Sequence, residues 1–206
     1  MGKMKLVGSV MLAIMFFGMV FAGRSFGATT TLDNLLTAYN GENNAAIRYL
    51  AFAKKADEEG YGKVASLFRA TARAEQCHYD RYAKIITELG GTPQAKIETP
   101  VVKSTKENLA AAIKGETYES QTMYAAFLEQ AKKEHVKSAI GALMGAKAAE
   151  AVHAGLYQGA LKNLAAWKGG KKTFYVCPIC GNVMDSIAGP VCPICMASSK
   201  TFLSVT

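Results

Sequence analysis

"AEQCHYD", residues 74–80, places Glu75 and His78 three positions apart, a spacing that brings both side chains to one face of an α-helix. One such pair occurs in many helices without chemical meaning. Here it recurs: "AEAVHAG", residues 149–155, sets Glu150 and His153 at the same spacing. The recurrence belongs to a longer internal repeat. Residues 41–78 and 115–153 each open with Gly-Glu, carry a tyrosine about two turns later and close on Ala-Glu-x-x-His.

The hydrophobic pattern around the repeat predicts four long helices. The first runs from Thr31 to Gly60 and the second from about Lys63 to Leu89, stopped by Gly90-Gly91. "GGTPQAKIETPVVK", residues 90–103, holds Pro93 and Pro100 and cannot be helical throughout, so it must cross over the bundle. Ser104 and Glu107 form a capping-box signature for the third helix. The fourth is expected from about Val136 to Trp167, where Gly169-Gly170 ends it. Four helices with one long crossover describe the ferritin-like bundle, whose metal sites take one Glu from each of two helices and Glu-x-x-His from each of the others. Glu42, Glu75, His78, Glu116, Glu150 and His153 fill those slots. These acids stand beside Ala, Leu, Ile and Tyr on inward-turning faces, whereas ordinary surface glutamates face water. Hard carboxylate oxygens mixed with imidazole suit iron or manganese better than a structural zinc, and bridging carboxylates hold two ions close together.

The two halves differ by one residue. Glu42 to Glu75 spans 33 positions and Glu116 to Glu150 spans 34; Tyr49 follows its Glu by 7 and Tyr124 by 8. An extra residue inside a helix is commonly absorbed as a π-bulge, which is frequent at functional sites. The insertion lies between Glu116 and Tyr124 and includes Glu119, which makes Glu119 a candidate seventh ligand that alternates with His78.

The tail carries a second signal, "CPICGNVMDSIAGPVCPIC", residues 177–195. Cys177, Cys180, Cys192 and Cys195 form two Cys-x-x-Cys knuckles suited to one tetrahedral metal, iron or zinc, spacing alone not deciding between them. Disulfides are the alternative for an exported chain.

Export is the reading of residues 1–27, which begin with Lys3 and Lys5, continue through an apolar run from Leu6 to Ala22 and end among small residues, as a secretory signal peptide does. An uncleaved membrane anchor is the alternative, the run being near the lower limit for a span. The whole chain has net charge +8; the leader contributes Lys3, Lys5 and Arg24 and no acid, leaving +5. That is too mild, and too scattered along helices, to indicate nucleic acid. The expected organisation is a leader over 1–27, a ferritin-like bundle over 28–168 and a four-cysteine module over 171–206.

Taken together, the mature chain resembles the rubrerythrins, a ferritin-like di-iron domain fused to a rubredoxin-like domain. The resemblance implies an all-α four-helix bundle with a small β/loop metal module. It implies two irons on the Glu and His positions above, one iron (or zinc) on the cysteines, and reduction of hydrogen peroxide to water with electrons passed through the cysteine site. Tyr49 and Tyr124 resemble the family's tyrosines beside the metals. The resemblance also implies at least a dimer, the tail of one subunit serving the di-iron site of another. Three features depart from the family pattern. Export would remove the usual nicotinamide-linked donor, leaving a periplasmic cytochrome or membrane quinol system; the loop between the knuckles is short; and Ala125 stands where the family is expected to have Pro. Cys77, roughly 200° around the helix from Glu75, reads as a small buried thiol, and His135 as a solvated helix end. The competing function is a non-catalytic iron-binding or electron-transfer protein, or a ferroxidase.

Overall fold

The computed structural model describes Met1 and residues 29–206, so the expected leader lies, Met1 apart, outside the described residues. Helix α1, Thr31–Glu58, starts where Thr30 and Asp33 form a capping box, and turns at Gly60 (φ +77) into α2, Gly62–Glu88. The crossover then runs extended along α1. Two asparagines on α1 satisfy its backbone: Asn44 donates to the Lys96 carbonyl at 2.9 Å, while Asn40 and Asn44 accept from the amides of Lys96 and Glu98 at 2.8 Å each. The Ser104–Glu107 capping box starts α3, Thr105–Tyr118. This helix passes through a π-helical segment, Glu119–Met123, into α4, Tyr124–Lys133. The π turn falls at the extra residue of the second repeat and absorbs it within one continuous helix.

An exposed turn, with His135 in the left-handed region (φ 57), leads to α5, Lys137–Lys162. The last helix is shorter than the expected run to Trp167. Asn163 (φ −126, ψ 45) leaves the helical basin, and only a 3₁₀ turn, Leu164–Trp167, follows. The chain ends in three short antiparallel strands, β1 (Phe174–Val176), β2 (Val183–Met184) and β3 (Leu203–Val205), in the order β2-β1-β3. Among the described residues, no helix is long and apolar enough to cross a membrane.

The bundle core is two apolar clusters. One, around Tyr49, Phe52, Phe68, Leu109 and Tyr157, continues into the tail through Phe174, Val176 and Val183. The other gathers Leu35, Tyr82, Ile86, Tyr124 and Leu143. The tail is joined to the bundle by backbone as well as by packing. The Gly169 amide donates to the Gly60 carbonyl at 3.0 Å, and the Gly62 amide donates to the Gly169 carbonyl at 3.1 Å. A Cβ at position 62 would stand 2.4 Å from that Gly169 oxygen, whereas one at Gly159 in α5 would meet nothing within 4 Å among the described residues. Gly62→Ala is therefore expected to destabilise the protein by about 1–3 kcal/mol, and Gly159→Ala to stabilise it by about 0.5–1 kcal/mol. Thermal unfolding of the two variants, which should move in opposite directions by about 2–4 °C per kcal/mol, checks this.

Candidate metal centres

Between the two apolar clusters lies a layer of ionisable side chains, all buried: Glu42 from α1, Glu75 and His78 from α2, Glu116 from α3, and Glu150 and His153 from α5. Their donor atoms converge on two adjacent sets, Glu42, Glu75, His78 and Glu150, and Glu75, Glu116, Glu150 and His153, each within 4.8 Å. Glu75 and Glu150 belong to both sets, the positions from which a carboxylate can bridge two ions. His78 Nδ1 lies 2.9 Å from Glu75 Oε2 and 3.0 Å from Glu150 Oε1; His153 Nδ1 lies 2.7 Å from Glu150 Oε2 and 3.4 Å from Glu116 Oε2.

These atoms are close, yet most are not hydrogen-bonded to one another. Among the described residues, Glu42 Oε2, Glu75 Oε1, Glu116 Oε2, both Glu150 oxygens and His153 Nδ1 are buried without a hydrogen-bond partner. Orphaned buried oxygens and an orphaned imidazole nitrogen aimed at common points are unfavourable unless a cation fills the space between them. The donor set thus fits two hard or borderline cations, and iron in particular.

The far side of each imidazole fixes its orientation. His78 Nε2 donates to the Cys180 carbonyl at 2.9 Å and His153 Nε2 donates to the Gly181 carbonyl at 3.0 Å. With Nε2 as the donor on that side, each Nδ1 faces the carboxylates and is the atom that meets a metal once its proton is given up, the outer-shell arrangement by which proteins hold metal-binding histidines. The tail therefore seats on the two helices that carry Glu-x-x-His. Gly181 (φ +74) is required there on two grounds: its backbone is left-handed, and a Cβ would lie 2.2 Å from His78 Nε2.

Tyrosines brace the glutamates across the repeat. Tyr49, in the first repeat, donates to Glu116 Oε1 at 2.5 Å, and Tyr124, in the second, donates to Glu42 Oε1. Two further buried tyrosines, not singled out in the sequence, stand behind them. Tyr82 and Tyr157 each follow a site histidine by four residues, a spacing that could have drawn attention to them. Their rings lie 6.4 Å from Tyr124 and 5.6 Å from Tyr49. Tyr157 shares a short hydrogen bond with Thr71, while the Tyr82 hydroxyl has no hydrogen-bond partner among the described residues. Cys77 is buried and its thiol contacts the Arg73 carbonyl at 3.3 Å, away from the cluster.

Glu119 stands at the start of the π segment, partly buried, beside the two donor sets rather than within them. Its carboxyl is pushed up to about 8 by burial and by the charges of Glu150 and Glu75, against the opposing charges of Arg48 and His78. Burial raises Glu42 and Glu116 well above the usual carboxylate range, reinforced by neighbouring carboxylates. For Glu150 burial acts in the same direction, but His78 and His153 prevail and hold it low. Burial pulls the two imidazoles down, and the carboxylates around them, Glu150 foremost, reverse this and raise both.

The second centre is formed by the cysteines. The Sγ atoms of Cys177 and Cys195 are 3.5 Å apart and those of Cys180 and Cys192 are 3.6 Å apart, with all four inside 4.8 Å. A disulfide needs about 2.05 Å, so all four thiols are free; tetrahedral thiolate ligation at about 2.3 Å puts sulfurs roughly 3.8 Å apart. Hydrogen bonding from Cys180 lowers the Cys177 thiol to about 5, towards the thiolate a metal requires.

A ferritin-like bundle with a carboxylate–histidine pair of metal sites and a four-thiolate module defines a class of iron-binding helical proteins, and comparison with known proteins narrows it. The family model for rubrerythrin matches residues 33–161. Nigerythrin of Nitratidesulfovibrio vulgaris is 38% identical over 174 residues, covering 84% of this chain and 85% of the relative. Rubrerythrin-1 of Clostridium acetobutylicum is 32% identical over 189 residues, covering 87% and 96%. The structure of nigerythrin in its fully reduced, all-ferrous state superposes with a TM-score of 0.80 at 35% identity, covering 89% of this chain and 91% of that one. A bacterioferritin of Desulfovibrio desulfuricans, 22% identical with a TM-score of 0.62 over 66% of this chain, shares the fold. This chain belongs to the rubrerythrin family.

The titration directions make the metal-free bundle pH-sensitive. Raised folded values mean that Glu42 and Glu116 keep protons that the unfolded chain releases above 4.5, and His78 and His153 do the same above 6.5. Stability from these groups is full at low pH and is lost as pH rises through the folded values. Glu150, held low, contributes stability that is lost only as pH falls below 4.5, outside this window. Metal-free protein should therefore melt several degrees lower at pH 8 than at pH 5.5, with the difference largely removed by ferrous ion; calorimetry with and without iron reads both.

Proposed function

We propose that this di-iron oxidoreductase is a peroxidase that reduces hydrogen peroxide to water, drawing electrons through the four-cysteine site. The observation that carries the reading is the direct contact of the cysteine module with both metal-site histidines through the Cys180 and Gly181 carbonyls. A storage or simple iron-uptake protein has no need of a second redox centre hydrogen-bonded to the first.

Cleaving the O–O bond of one peroxide to give two waters takes two electrons and two protons. Glu42, Glu75, His78, Glu116, Glu150 and His153 would hold two ferrous ions, which would supply one electron each. The protein's own groups do the rest. Tyr49 and Tyr124 hold the Glu116 and Glu42 carboxylates by their Oε1 atoms, leaving the other oxygen of each free for metal. Glu119, whose carboxyl burial and the charges of Glu150 and Glu75 raise to about 8 in the metal-free protein, stands beside the donor sets and is placed to pass one of the two protons to a departing oxygen, the second coming from solvent. The π turn gives that side chain a position no regular helix would offer, and supports its entry as a seventh ligand in alternation with His78. The buried, apolar surroundings keep bulk water from the cluster.

The basic start and apolar run of residues 1–27 support export, with a periplasmic cytochrome or a membrane quinol system as the donor class. The family resemblance supports a homodimer or larger assembly.

One experiment separates peroxide reduction from iron storage. Fully reduced, iron-loaded protein is mixed with one equivalent of peroxide, and return of the four-thiolate iron's visible colour is followed. Rapid return is expected, slowed by about 100-fold or more when Glu75 and His78 are both replaced by alanine, since the metal pair is then lost. Glu119→Ala should keep two irons yet slow the return about 10- to 100-fold. A wild-type rate no faster than that of the Glu75/His78 double variant would reject the peroxidase, and an unchanged Glu119→Ala rate would remove Glu119 from the reaction.

A further inference from the structure

One residue belongs to both metal centres. The Cys180 thiol is part of the four-cysteine set, and the Cys180 carbonyl accepts from His78 Nε2 at 2.9 Å, so the same backbone unit fixes a sulfur of one centre and an imidazole of the other. Its neighbours extend the connection. Three consecutive carbonyls of the inner knuckle each accept from a side chain of the bundle: Ile179 from Arg81 Nη1 at 3.4 Å, Cys180 from His78, and Gly181 from His153 Nε2 at 3.0 Å. The peptide that makes these contacts is a closed loop, the Gly181 amide donating to the Cys177 carbonyl at 3.0 Å and the Cys177 amide to the Asn182 carbonyl at 2.9 Å.

The bundle is shaped to admit this loop. Arg81 stands three residues after His78 on α2, and its guanidinium reaches Ile179 across two glycines of α5. A Cβ at Gly141 would lie 3.5 Å from Arg81 Nη2, and one at Gly145 would lie 3.9 Å from Arg81 Nη1 and 3.2 Å from Cys180 Cβ. Positions four apart share a helix face, so α5 carries no side chain at either point where the arginine and the cysteine pass. Inside the module the inner knuckle meets the outer one sulfur to sulfur. Cys177 lies opposite Cys195 at 3.5 Å and Cys180 opposite Cys192 at 3.6 Å, with the Asn182 side-chain amide reaching the Cys192 sulfur at 3.9 Å. Four free thiols at these distances are bound into one fixed geometry by a single ion.

We propose that the inner knuckle couples the filling of the two centres: a metal on Cys177, Cys180, Cys192 and Cys195 sets the Ile179, Cys180 and Gly181 carbonyls, these set His78 and His153, and the carboxylate–histidine site then takes up its own ions more tightly. Arg81 belongs to neither donor set and is the positioning residue that keeps the loop seated. Groups that orient a ligating histidine are worth about ten- to hundredfold in metal affinity. Linkage makes the effect reciprocal, so ions in the carboxylate site tighten the cysteine site by the same factor. The inference goes beyond the peroxidase reading, since it concerns uptake of ions whether or not they carry out redox chemistry.

The test uses the metal-free full chain under reducing, oxygen-free conditions with two redox-silent probes: zinc, which thiolates prefer, and manganese(II), which suits carboxylates. Manganese binding is read from loss of the free ion's EPR signal, with and without one prior equivalent of zinc. The quantity compared is the ratio of the two affinities within each variant, so that a general loss of stability cancels. Zinc should raise the manganese affinity of the wild-type protein about 10- to 100-fold, and this gain should vanish in Cys177→Ser/Cys192→Ser. Arg81→Ala should still bind one zinc yet cut the gain about three- to tenfold, with Arg81→Lys restoring part of it. In the reverse titration, saturating manganese should raise zinc affinity, read by competition with a chromophoric chelator, by the same factor. A manganese affinity indifferent to zinc, a gain that survives in Cys177→Ser/Cys192→Ser, or one that Arg81→Ala leaves whole overturns the proposal. None of these readouts involves peroxide, so their failure is distinguishable from failure of the peroxidase reading.

Discussion

Four carboxylates and two imidazoles are packed between two apolar clusters with too few hydrogen bonds among them, and the rest of the molecule is arranged around that imbalance. Glu42, Glu75, Glu116 and Glu150 are each at most 1% exposed. Burying even one unpaired charge is strongly unfavourable, and four carboxylates repel one another as well. Cations between them reverse the sign of that repulsion, so occupancy and folding of the bundle are linked. The same electrostatics explain why protons take the place of metal at Glu42 and Glu116 while Glu150, between two imidazoles, stays ionised.

Holding such a cluster in register requires positions to be fixed from outside it. The repeat supplies this by exchange: each half's tyrosine grips the other half's glutamate, so neither pair of helices can shift without breaking a buried hydrogen bond. The imidazoles are fixed by backbone carbonyls from a different part of the chain. One repeated unit thus yields a nearly symmetric set of donors, and two features break the symmetry, the π turn at Glu119–Met123 and the cysteine module resting on α2 and α5.

Much of this is legible in the sequence because it depends on spacing. Glu-x-x-His at 75–78 and 150–153 follows helical period, the Gly60 and Gly90 stops follow backbone freedom, and the one-residue excess between Glu116 and Tyr124 is enough by itself to locate the π turn. What stays hidden depends on tertiary contact. That Gly181 is confined by His78, 103 positions earlier, has no local signature. Nor does the pairing of Tyr82 with Tyr124 and of Tyr157 with Tyr49, although each lies one helical turn past a histidine. The end of the last helix is hidden for a different reason. Leu164–Trp167 carries an apolar pattern that a 3₁₀ turn satisfies as well as an α-helix does, and the break comes from the conformation of Asn163.

The seating of the module on the histidine-bearing helices divides the metal layer into two sides. Towards the tail the imidazoles are capped by the Cys180 and Gly181 carbonyls. On the opposite side α1, the crossover and α3 enclose a cavity of about 550 Å³ lined by Asn44, Arg48, Phe52 and Asn108. Arg48 lies over the Tyr49 ring at 5.4 Å, and its charge acts on Glu119 and Glu116. The crossover that a four-helix chain needs for its topology doubles as the wall of a cavity beside Arg48, so the course of residues 90–104 shapes the surroundings of the Tyr49 side of the bundle as well as connecting its two halves.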